Sequence, residues 1–257
     1  MFEAVLSNGV VLKKIVESIK ELVTEVNLEI TSDGLSIQAM DSSHIALIVL
    51  ILKASEFEEF QCDRPQNLGI SITYLNKLLK IAGNDDSIKL KSESDSGILT
   101  LTFQGPNNEK ICEFNLNLLT LDAEHLGIPE QEYSAEVKMS SLEFTKICRE
   151  LTQVTDTLNI SIDKEAIKFA VSGNVGAGCI TMRGNVSDKV EENLFIRVNG
   201  NVNMAFSLRY LNLFNKAAML SEEVVLFLSP EVPIVIQFVF DLGELKYFLA
   251  PKVADDN

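Results

Sequence analysis

Nine basic residues at helical spacing are the residues of this chain best suited to bind phosphate. They fall in four short windows that carry a net charge of +5, whereas the 257-residue chain as a whole has a net charge of −15. Spacings of three or seven residues put each basic pair on one helical face, opposite the apolar stripe. A basic face on an otherwise acidic chain suits a phosphate backbone, which the acidic surfaces repel. The nine residues are Lys13, Lys14, Lys20, Lys77, Lys80, Lys146, Arg149, Arg209 and Lys216.

The same basic faces, taken one helix at a time, also fit the solvated side of an ordinary amphipathic helix. Agreement among four helices in a strongly acidic chain favours the phosphate interpretation. No aromatic residues interleave the basic positions at a stacking spacing, which disfavours a single-stranded nucleic acid.

Catalytic and metal-binding patterns are not convincing anywhere in the sequence. The segment Gly173 to Gly178 lacks the residue order of a phosphate loop, and a strand entry or bulge is the better interpretation. His44 and His125 lie in different segments without a matching Cys or Ser motif. We therefore predict a binding scaffold with no enzyme activity, cofactor or metal site. The cysteines, which we expect to be reduced and mostly buried, are Cys62, Cys112, Cys148 and Cys179.

Short alternating strands dominate the elements that must position the basic residues. The helical windows are Val10 to Glu21, Thr73 to Lys80, Leu142 to Thr152 and Arg209 to Lys216. The predicted strands are Asn27 to Thr31, Leu35 to Met40, Ser87 to Lys91, Leu99 to Phe103, Ile111 to Leu116, Asn159 to Asp163 and Ile167 to Val171. This pattern predicts an α+β fold.

An internal repeat organises these elements. A shift of 132 residues lays Leu12 to Gln38 on Phe144 to Ala170 without a gap, and nine apolar positions coincide. A shift of 136 lays Tyr74 to Ala82 on Tyr210 to Ala218, which share a Tyr-Leu-Asn start. The chain is therefore predicted to be a tandem duplication with two strand-helix-strands modules in each half.

A connector between the halves completes the predicted domain organisation. It carries breakers at Gly127 and Pro129 and exposes the apolar residues Leu126 and Ile128, which indicates a docking surface. The alternative is an ordinary surface connection, although this connector is longer than most loops. The predicted organisation is an N-terminal domain (1–117), a linker (118–134) and a C-terminal domain (135–257).

Hydropathy predicts a protein of the cytosol or nucleus. The longest apolar run, Ile45 to Leu52, is much shorter than the roughly 20 residues that cross a bilayer. The chain also opens without the basic and apolar segments of a secretory signal.

Several specific motifs resemble the proliferating cell nuclear antigen family of sliding DNA clamps, essentially from end to end. LGIPEQEY (126–133) and MDSSHIAL (40–47) are the most specific. The others are MFEAVL at the start, CDR (62–64), SLRYLNLFNKA (207–217) and LKYFLAPK (245–252). The resemblance implies a duplicated two-domain clamp fold, with antiparallel sheets outside and short helices inside a homotrimeric ring. Such a ring encircles duplex DNA without sequence preference, in the nucleus, as a processivity factor for DNA polymerase.

The resemblance also implies partner sites. DNA polymerases, the clamp loader, flap endonuclease and DNA ligase would dock short peptides into a pocket beneath the linker, and Lys164 matches the family's ubiquitin acceptor. The matching pocket residues are Met40, His44, Ile45, Leu47, Leu126, Ile128, Pro233, Phe248, Leu249, Ala250 and Pro251. For Met40, Leu47 and Leu249, core packing is the alternative role.

Ring closure is predicted by strand pairing between two chains, Lys110 to Leu116 of one with Ala177 to Gly184 of the next. The prediction rests on a shift of 136 that carries Lys110 to Leu116 onto Lys246 to Lys252, and on a shift of 132 that carries Ile45 to Lys53 onto Ala177 to Asn185. If Lys246 to Lys252 pairs with Ile45 to Lys53 within the chain, the other two edges would pair between chains. The predicted interface residues are Lys110, Ile111, Cys112, Phe114, Ala177, Gly178, Cys179, Ile180 and Met182.

Three alternatives stay open from the sequence: a β-rich enzyme, a checkpoint-type clamp that forms a hetero-ring, and an archaeal clamp. The chain departs from the family at Phe248, where many relatives have Tyr, and at Gln153, where animal relatives have His. The stretch from Gly184 to Asn193 is poorly matched.

Overall fold

The computed structural model describes residues 1–93, 96–107, 109–122, 127, 132–174, 176–184 and 193–252. The chain divides into two compact units. The first contains residues 1–42, 48–126 and 240–245, and the second contains 43–47, 127–239 and 246–257. No helix of the described residues is long and apolar enough to cross a membrane.

The first half of the chain contributes nine strands and two α-helices to the described structure. The helices are α1 (Val10–Ile19) and α2 (Ile72–Leu79). The strands are β1 (Phe2–Leu6), β2 (Glu25–Thr31), β3 (Gly34–Met40), β4 (Ala46–Lys53), β5 (Glu59–Cys62), β6 (Gln66–Ser71), β7 (Ser87–Ser92), β8 (Ile98–Gln104) and β9 (Ile111–Asn117).

The second half contributes the same number of each. The helices are α3 (Ser141–Leu151) and α4 (Leu208–Phe214), and a 3₁₀ turn, Asn215–Met219, extends α4. The strands are β10 (Ala135–Ser140), β11 (Thr157–Ile162), β12 (Ala166–Gly173), β13 (Gly176–Arg183), β14 (Phe195–Val198), β15 (Val202–Ser207), β16 (Glu223–Leu228), β17 (Ile234–Phe240) and β18 (Gly243–Leu249).

The strand order repeats between the halves, as the predicted duplication requires. In the first half the neighbours run β5-β1-β7-β8-β9 and β6-β2-β3-β4. In the second they run β14-β10-β16-β17-β18 and β15-β11-β12-β13. The pairs whose register is described are antiparallel. The four predicted helices and seven predicted strands are therefore confirmed, to within two residues at their ends.

The helices form where apolar residues recur at helical spacing. On α1 the residues Leu12, Ile15 and Ile19 are buried, and on α3 Phe144 and Ile147 take the same role. Ser71 and Ser140 begin α2 and α3 by accepting the backbone N–H three residues on. Because each helix buries one stripe, its polar face is left exposed.

The last strand corrects the register that the sequence repeat predicted. Phe103 contacts Phe114 at 5.7 Å between ring centroids, and the equivalent contact in the second half joins Phe238 and Tyr247 at 6.3 Å. The equivalent shifts are therefore 135 for β8 onto β17 and 133 for β9 onto β18, not 136. The cause is loop length, since six residues join β8 to β9 and two join β17 to β18.

The core of the second unit is built around aromatic rings. Tyr247 is fully buried and stacks on Phe214 at 4.4 Å with an interplanar angle of 7°. Burial raises the pKa of the Tyr247 phenol well above its usual range. This stack joins β18 to the end of α4.

The described residues of the segment from Gly173 to Gly178 lie at the end of β12 and the start of β13, which agrees with the predicted strand entry. The ladder between these two strands begins at Gly173 opposite Gly176.

Candidate functional site

The two helices of the first unit lie side by side, and Lys13 links them. Its Nζ donates to the carbonyl oxygens of Ala82 and Gly83, 3.0 Å from the latter, just beyond the end of α2. Lys13 therefore satisfies backbone acceptors within the chain. Its predicted role as a phosphate ligand has to compete with these bonds.

The other basic residues of the first unit differ in how they are held. Lys20 forms an ion pair with Glu17 at 2.6 Å, and Lys77 lies over the ring of Tyr74 with its Nζ 5.1 Å from the centroid. Lys80 is exposed and Lys14 is half-buried. Tyr74 is a single ring, so the expectation that no series of aromatic residues interleaves the basic positions is unchanged.

The second unit presents a similar pair of helices. Asn212 of α4 donates to the Thr152 hydroxyl at the end of α3, at 2.7 Å. Lys146, Arg149 and Arg209 are exposed to solvent. Lys216, in the 3₁₀ turn, is half-buried. Each unit thus carries two neighbouring helices with cations on their polar faces.

Helix geometry gives some of these cations a second role. Lys20 and Lys80 stand at the C-terminal caps of α1 and α2, and Arg149 lies in the last turn of α3. Cations near a helix C-terminus are stabilised by the backbone dipoles, typically by about 0.3 to 1 kcal/mol each. The basic residues are therefore favourable to the helices as well as to a phosphate ligand.

The thiols differ in exposure. Burial raises the pKa of the Cys148 thiol to about 12, so this group is a poor nucleophile. Cys62 and Cys112 are half-buried and Cys179 is exposed, which corrects the expectation that most thiols are buried. None of the described residues forms a cluster of three or more His, Cys, Asp or Glu that could hold a metal ion.

The second unit brings together most of the residues predicted to line the peptide pocket. Ala250 N donates to Ile45 O at 3.1 Å, so the segment that follows β18 lies along residues 43–47. Leu249 is fully buried and belongs to the core. The more accessible members are His44, Ile45, Leu47, Pro233, Phe248, Ala250 and Pro251.

Two turns beside this apolar surface have an unusual backbone. His44 has φ 55° and Glu231, two residues before Pro233, has φ 65°, and these are the positive-φ residues other than glycine in the described chain. Left-handed conformations cost non-glycine residues about 1 kcal/mol or more, and they concentrate at binding sites. Both turns are therefore held in shape by their surroundings.

The remaining predicted pocket residues belong to the first unit or lie outside the described residues. Met40 ends β3 in the first unit, where it lines a cavity of about 480 Å³ with Gln38 and Leu121. Asn27 donates to the backbone oxygen of Asp122 at 3.1 Å and holds the start of the connector. Leu126 and Ile128 lie outside the described residues.

Strand β9 is the outer strand of its sheet in the described chain. Gly105 N donates to Lys110 O, and Leu118 N donates to Gly97 O, at 3.2 and 2.9 Å. Bonded pairs alternate along an antiparallel ladder, so even-numbered residues of β9 bond β8 and odd-numbered residues direct their N–H and C=O groups outward. Ile111 is 60% exposed at the start of this edge.

Strand β13 is the equivalent outer strand in the second unit. Gly184 N donates to Glu165 O at 3.3 Å, and the ladder with β12 places even-numbered residues in bonded pairs. Ala177, Cys179, Thr181 and Arg183 therefore direct their backbone groups away from the sheet. Both predicted interface segments are thus sheet edges with unpaired backbone groups directed outward, within the described residues.

Lys164 lies in the tight turn that the sequence predicted. Asp163 Oδ1 accepts the N–H groups of Glu165 and Ala166, both at 2.9 Å, and Asp163 N donates to Ala166 O. These bonds hold the pKa of the Asp163 carboxyl below its usual range. Lys164 at the tip is exposed.

A tandem-duplicated α+β chain with paired basic helices and open sheet edges defines a clamp-type fold. The sequence model of the proliferating cell nuclear antigen N-terminal domain matches residues 1–125, and that of its C-terminal domain matches residues 127–252. The chain belongs to the proliferating cell nuclear antigen family. It is accordingly a non-enzymatic sliding clamp that acts on DNA in replication.

Two contacts of the basic helices were missed from the sequence. The spacing of Tyr74 and Lys77, three residues apart on one helix, is a signal that could have identified the ring contact. The bonds of Lys13 have no such signal, because they join residues about 70 positions apart.

Proposed function

We propose that three copies of this chain close into a ring around duplex DNA and act in the nucleus as a processivity factor for DNA polymerase. The observation that carries the proposal is the repetition of two neighbouring basic helices in each unit, in a chain whose remainder is strongly acidic. Twelve such helices in a trimer would contact phosphates without reading bases, which allows sliding.

The test neutralises four helix cations and measures polymerase processivity on a primed template with the clamp loader present. Replacing Lys20, Lys77, Lys80 and Arg149 with Gln should shorten products about tenfold, and replacement with Glu should shorten them further. The Gln set is needed because Glu near a helix C-terminus also destabilises the helix. Trimer mass and melting temperature are measured for each variant.

A matched control removes the same charge from strands and their ends. Neutralising Lys53, Lys91, Lys138 and Lys168 should leave processivity unchanged. If the helix variant is trimeric and fully processive, or if the control variant loses as much, the assignment of the helices to DNA is wrong.

We also propose that polymerases, the clamp loader, flap endonuclease and DNA ligase dock short peptides on the apolar surface of residues 43–47 and 248–251 with the connector. Ile45 is 42% exposed there, and the turns at His44 and at Glu231, two residues before Pro233, already have a strained backbone. A pre-shaped surface lowers the ordering cost of binding a peptide.

Replacing Leu126 and Ile128 together with Ala should abolish peptide affinity measured by calorimetry, with an unchanged trimer. Ile45→Ala should weaken peptide binding about tenfold. An apolar side chain that the bound peptide buries is typically worth about 1 kcal/mol or more. Ile51→Ala is the control, because Ile51 is similarly exposed, at 39%, but lies farther along β4. Unchanged affinity in the double variant would refute the pocket.

The ring joint follows from the repeat. Lys53 N donates to Leu242 O within the first unit and Ala250 N to Ile45 O within the second, which aligns β4 with β18. Ala54 N donates to Asp33 O, and Gly184 N donates to Glu165 O in the equivalent bond of the second half. Strand β4 therefore maps onto β13 by a shift of 130, which corrects the shift of 132 predicted from the sequence. With β9 mapped onto β18 by 133, Glu113 of one chain pairs with Cys179 of the next.

This register makes a consistent ladder. The outward-facing odd residues of both edges meet as bonded pairs, with Ile111 opposite Thr181 and Asn115 opposite Ala177. Glu109 would stand opposite Arg183, which adds opposite charges at one end. The proposed joint thus needs no change in either strand.

Three further proposals complete this account. Lys164, exposed on a hydrogen-bonded turn, is proposed as the ubiquitin acceptor. Ubiquitin conjugation should be lost in the Lys164→Arg variant.

The nuclear location is proposed from the family. The proposed domain boundaries at 117 and 135 await limited proteolysis.

A further inference from the structure

The outward face of α2 carries an aromatic ring that the fold does not use. Ile72, Leu75 and Leu79 form the buried stripe of this helix, whereas the Tyr74 side chain is 60% exposed. Lys77, one turn on, places its ammonium 5.1 Å from the ring centroid. Lys80 and the exposed Ile81 follow within two turns.

The equivalent tyrosine of the second unit behaves differently. Tyr210 is half-buried on α4 and its ring lies 6.2 Å from that of Phe214, one turn on. A tyrosine in the same repeat position thus packs on its own helix in one unit. In the first unit Tyr74 is instead exposed beside Lys77. Because Tyr210 packs on its own helix, helix formation does not require the tyrosine at this position to be exposed.

A tyrosine in this position changes what the neighbouring lysine can do. An ammonium over an aromatic face is held by the ring quadrupole, while its N–H groups stay available to an acceptor. Lysine loses much rotamer freedom when it is fixed by a ligand, and prior contact with the ring reduces that loss. The phenol hydroxyl is a second donor that carries no charge.

We propose that Tyr74 is a DNA-contacting residue of the channel, which donates its hydroxyl to a phosphate oxygen and positions Lys77 for the adjacent phosphate. The proposal rests on the proposed function, since it requires duplex DNA against α2. The occupant is the duplex backbone and not an unstacked base, because a single ring on a helix supplies no succession of stacking surfaces.

An ionic contact and a neutral hydroxyl contact with phosphate have different effects on how DNA affinity depends on salt. An ionic contact adds about 0.9 per phosphate to the slope of log K against log salt, because counterions are released. A neutral hydroxyl contact adds affinity at every salt concentration and leaves the slope unchanged. Tyr74 and Lys77 can therefore be separated by one measurement.

The experiment titrates a short blunt duplex into the trimer across a series of salt concentrations and follows fluorescence anisotropy. Lys77→Gln should lower both the affinity and the slope. Tyr74→Phe should weaken binding about fivefold at all salts with the parent slope. Tyr74→Leu should weaken it further, and its effect should shrink when Lys77 is already Gln, which reports positioning.

Tyr210→Phe is the matched control, and the trimer mass and melting temperature are checked in every variant. If Tyr74→Phe binds like the parent, the hydroxyl contact is refuted. If Tyr74→Leu and Lys77→Gln are strictly additive, the positioning role is refuted. If the four-residue helix variant also binds like the parent, the proposed function itself fails. A loss confined to single-stranded DNA would refute the duplex assignment.

Discussion

Strands β9 and β18 occupy the same place in the two repeats, yet their surfaces differ. Along β18 every second residue is buried and the others are half-buried, whereas along β9 Ile111, Glu113, Asn115 and Asn117 are exposed. The sequence that separates them from the preceding strand differs too. The comparison teaches that β18 has a neighbour on both sides, while β9 displays the half of a ladder that another chain is proposed to complete.

The largest contrast should come from proline at equivalent positions on these strands. Glu113→Pro removes a donor that points outward, and should convert the trimer to a folded monomer. Lys246→Pro, at the equivalent position of β18, removes a donor within the chain and should lower the free energy of unfolding by about 2 to 4 kcal/mol. Light scattering and urea unfolding measure the two effects.

Proline at Cys112 or Phe114, two residues predicted from the sequence to lie in the interface, is a less specific test. Those N–H groups face β8, so both substitutions would weaken the chain's own sheet as well as any joint. Glu113→Ala is the control that keeps the backbone donor. A trimeric Glu113→Pro variant would exclude this edge from the ring.

The register itself is tested by a covalent bond. The mapping sets Cys112 of one chain opposite Ile180 of the next in a non-bonded pair, where Cα atoms lie about 4.5 Å apart. Ile180→Cys should therefore form a disulfide with Cys112 of a neighbouring chain under mild oxidation, visible as cross-linked species on a denaturing gel. Adding Cys112→Ser should abolish it, and cross-linking that depends on Cys179 instead would shift the register.

A smaller effect concerns thiol reactivity. Cys179 is exposed in the single chain, and a neighbouring β9 would cover it, so thiol reagents should modify it several-fold faster in the Glu113→Pro monomer than in the trimer. Cys148 is the internal reference, because burial raises its pKa to about 12. Equal rates for Cys179 in both forms would mean that the trimer leaves this edge open.

The sequence predicted the elements well because helices and strands here keep their apolar periods. Leu12 to Gln38 lies on its repeat in the structure as it does in the sequence. The register of β18 was wrong, because a two-residue loop replaces a six-residue loop and the shift changes within the hairpin. Apolar periodicity alone cannot reveal such a change of loop length, because buried and exposed residues still alternate along both strands.

The candidate site was predictable in its residue types and less so in its contacts. The positions of the basic residues followed from helical spacing. The bonds of Lys13 to Ala82 and Gly83 depend on how two helices pack, and the left-handed backbone at His44 depends on its tertiary setting. Leu249 illustrates the reverse case, because a residue attributed to a binding surface lies in the core.

Burial of Tyr247 in its stack on Phe214 makes the second unit less stable at alkaline pH. The folded phenol keeps its proton where an unfolded tyrosine, with a pKa of about 10, loses it. The unfolded state then binds fewer protons, so the free energy of unfolding is unaffected below about pH 10 and falls as the pH rises above it. In a chain with four tyrosines and no tryptophan, a titration followed by phenolate absorbance should detect the ionisation of Tyr247 last, and only when its unit unfolds.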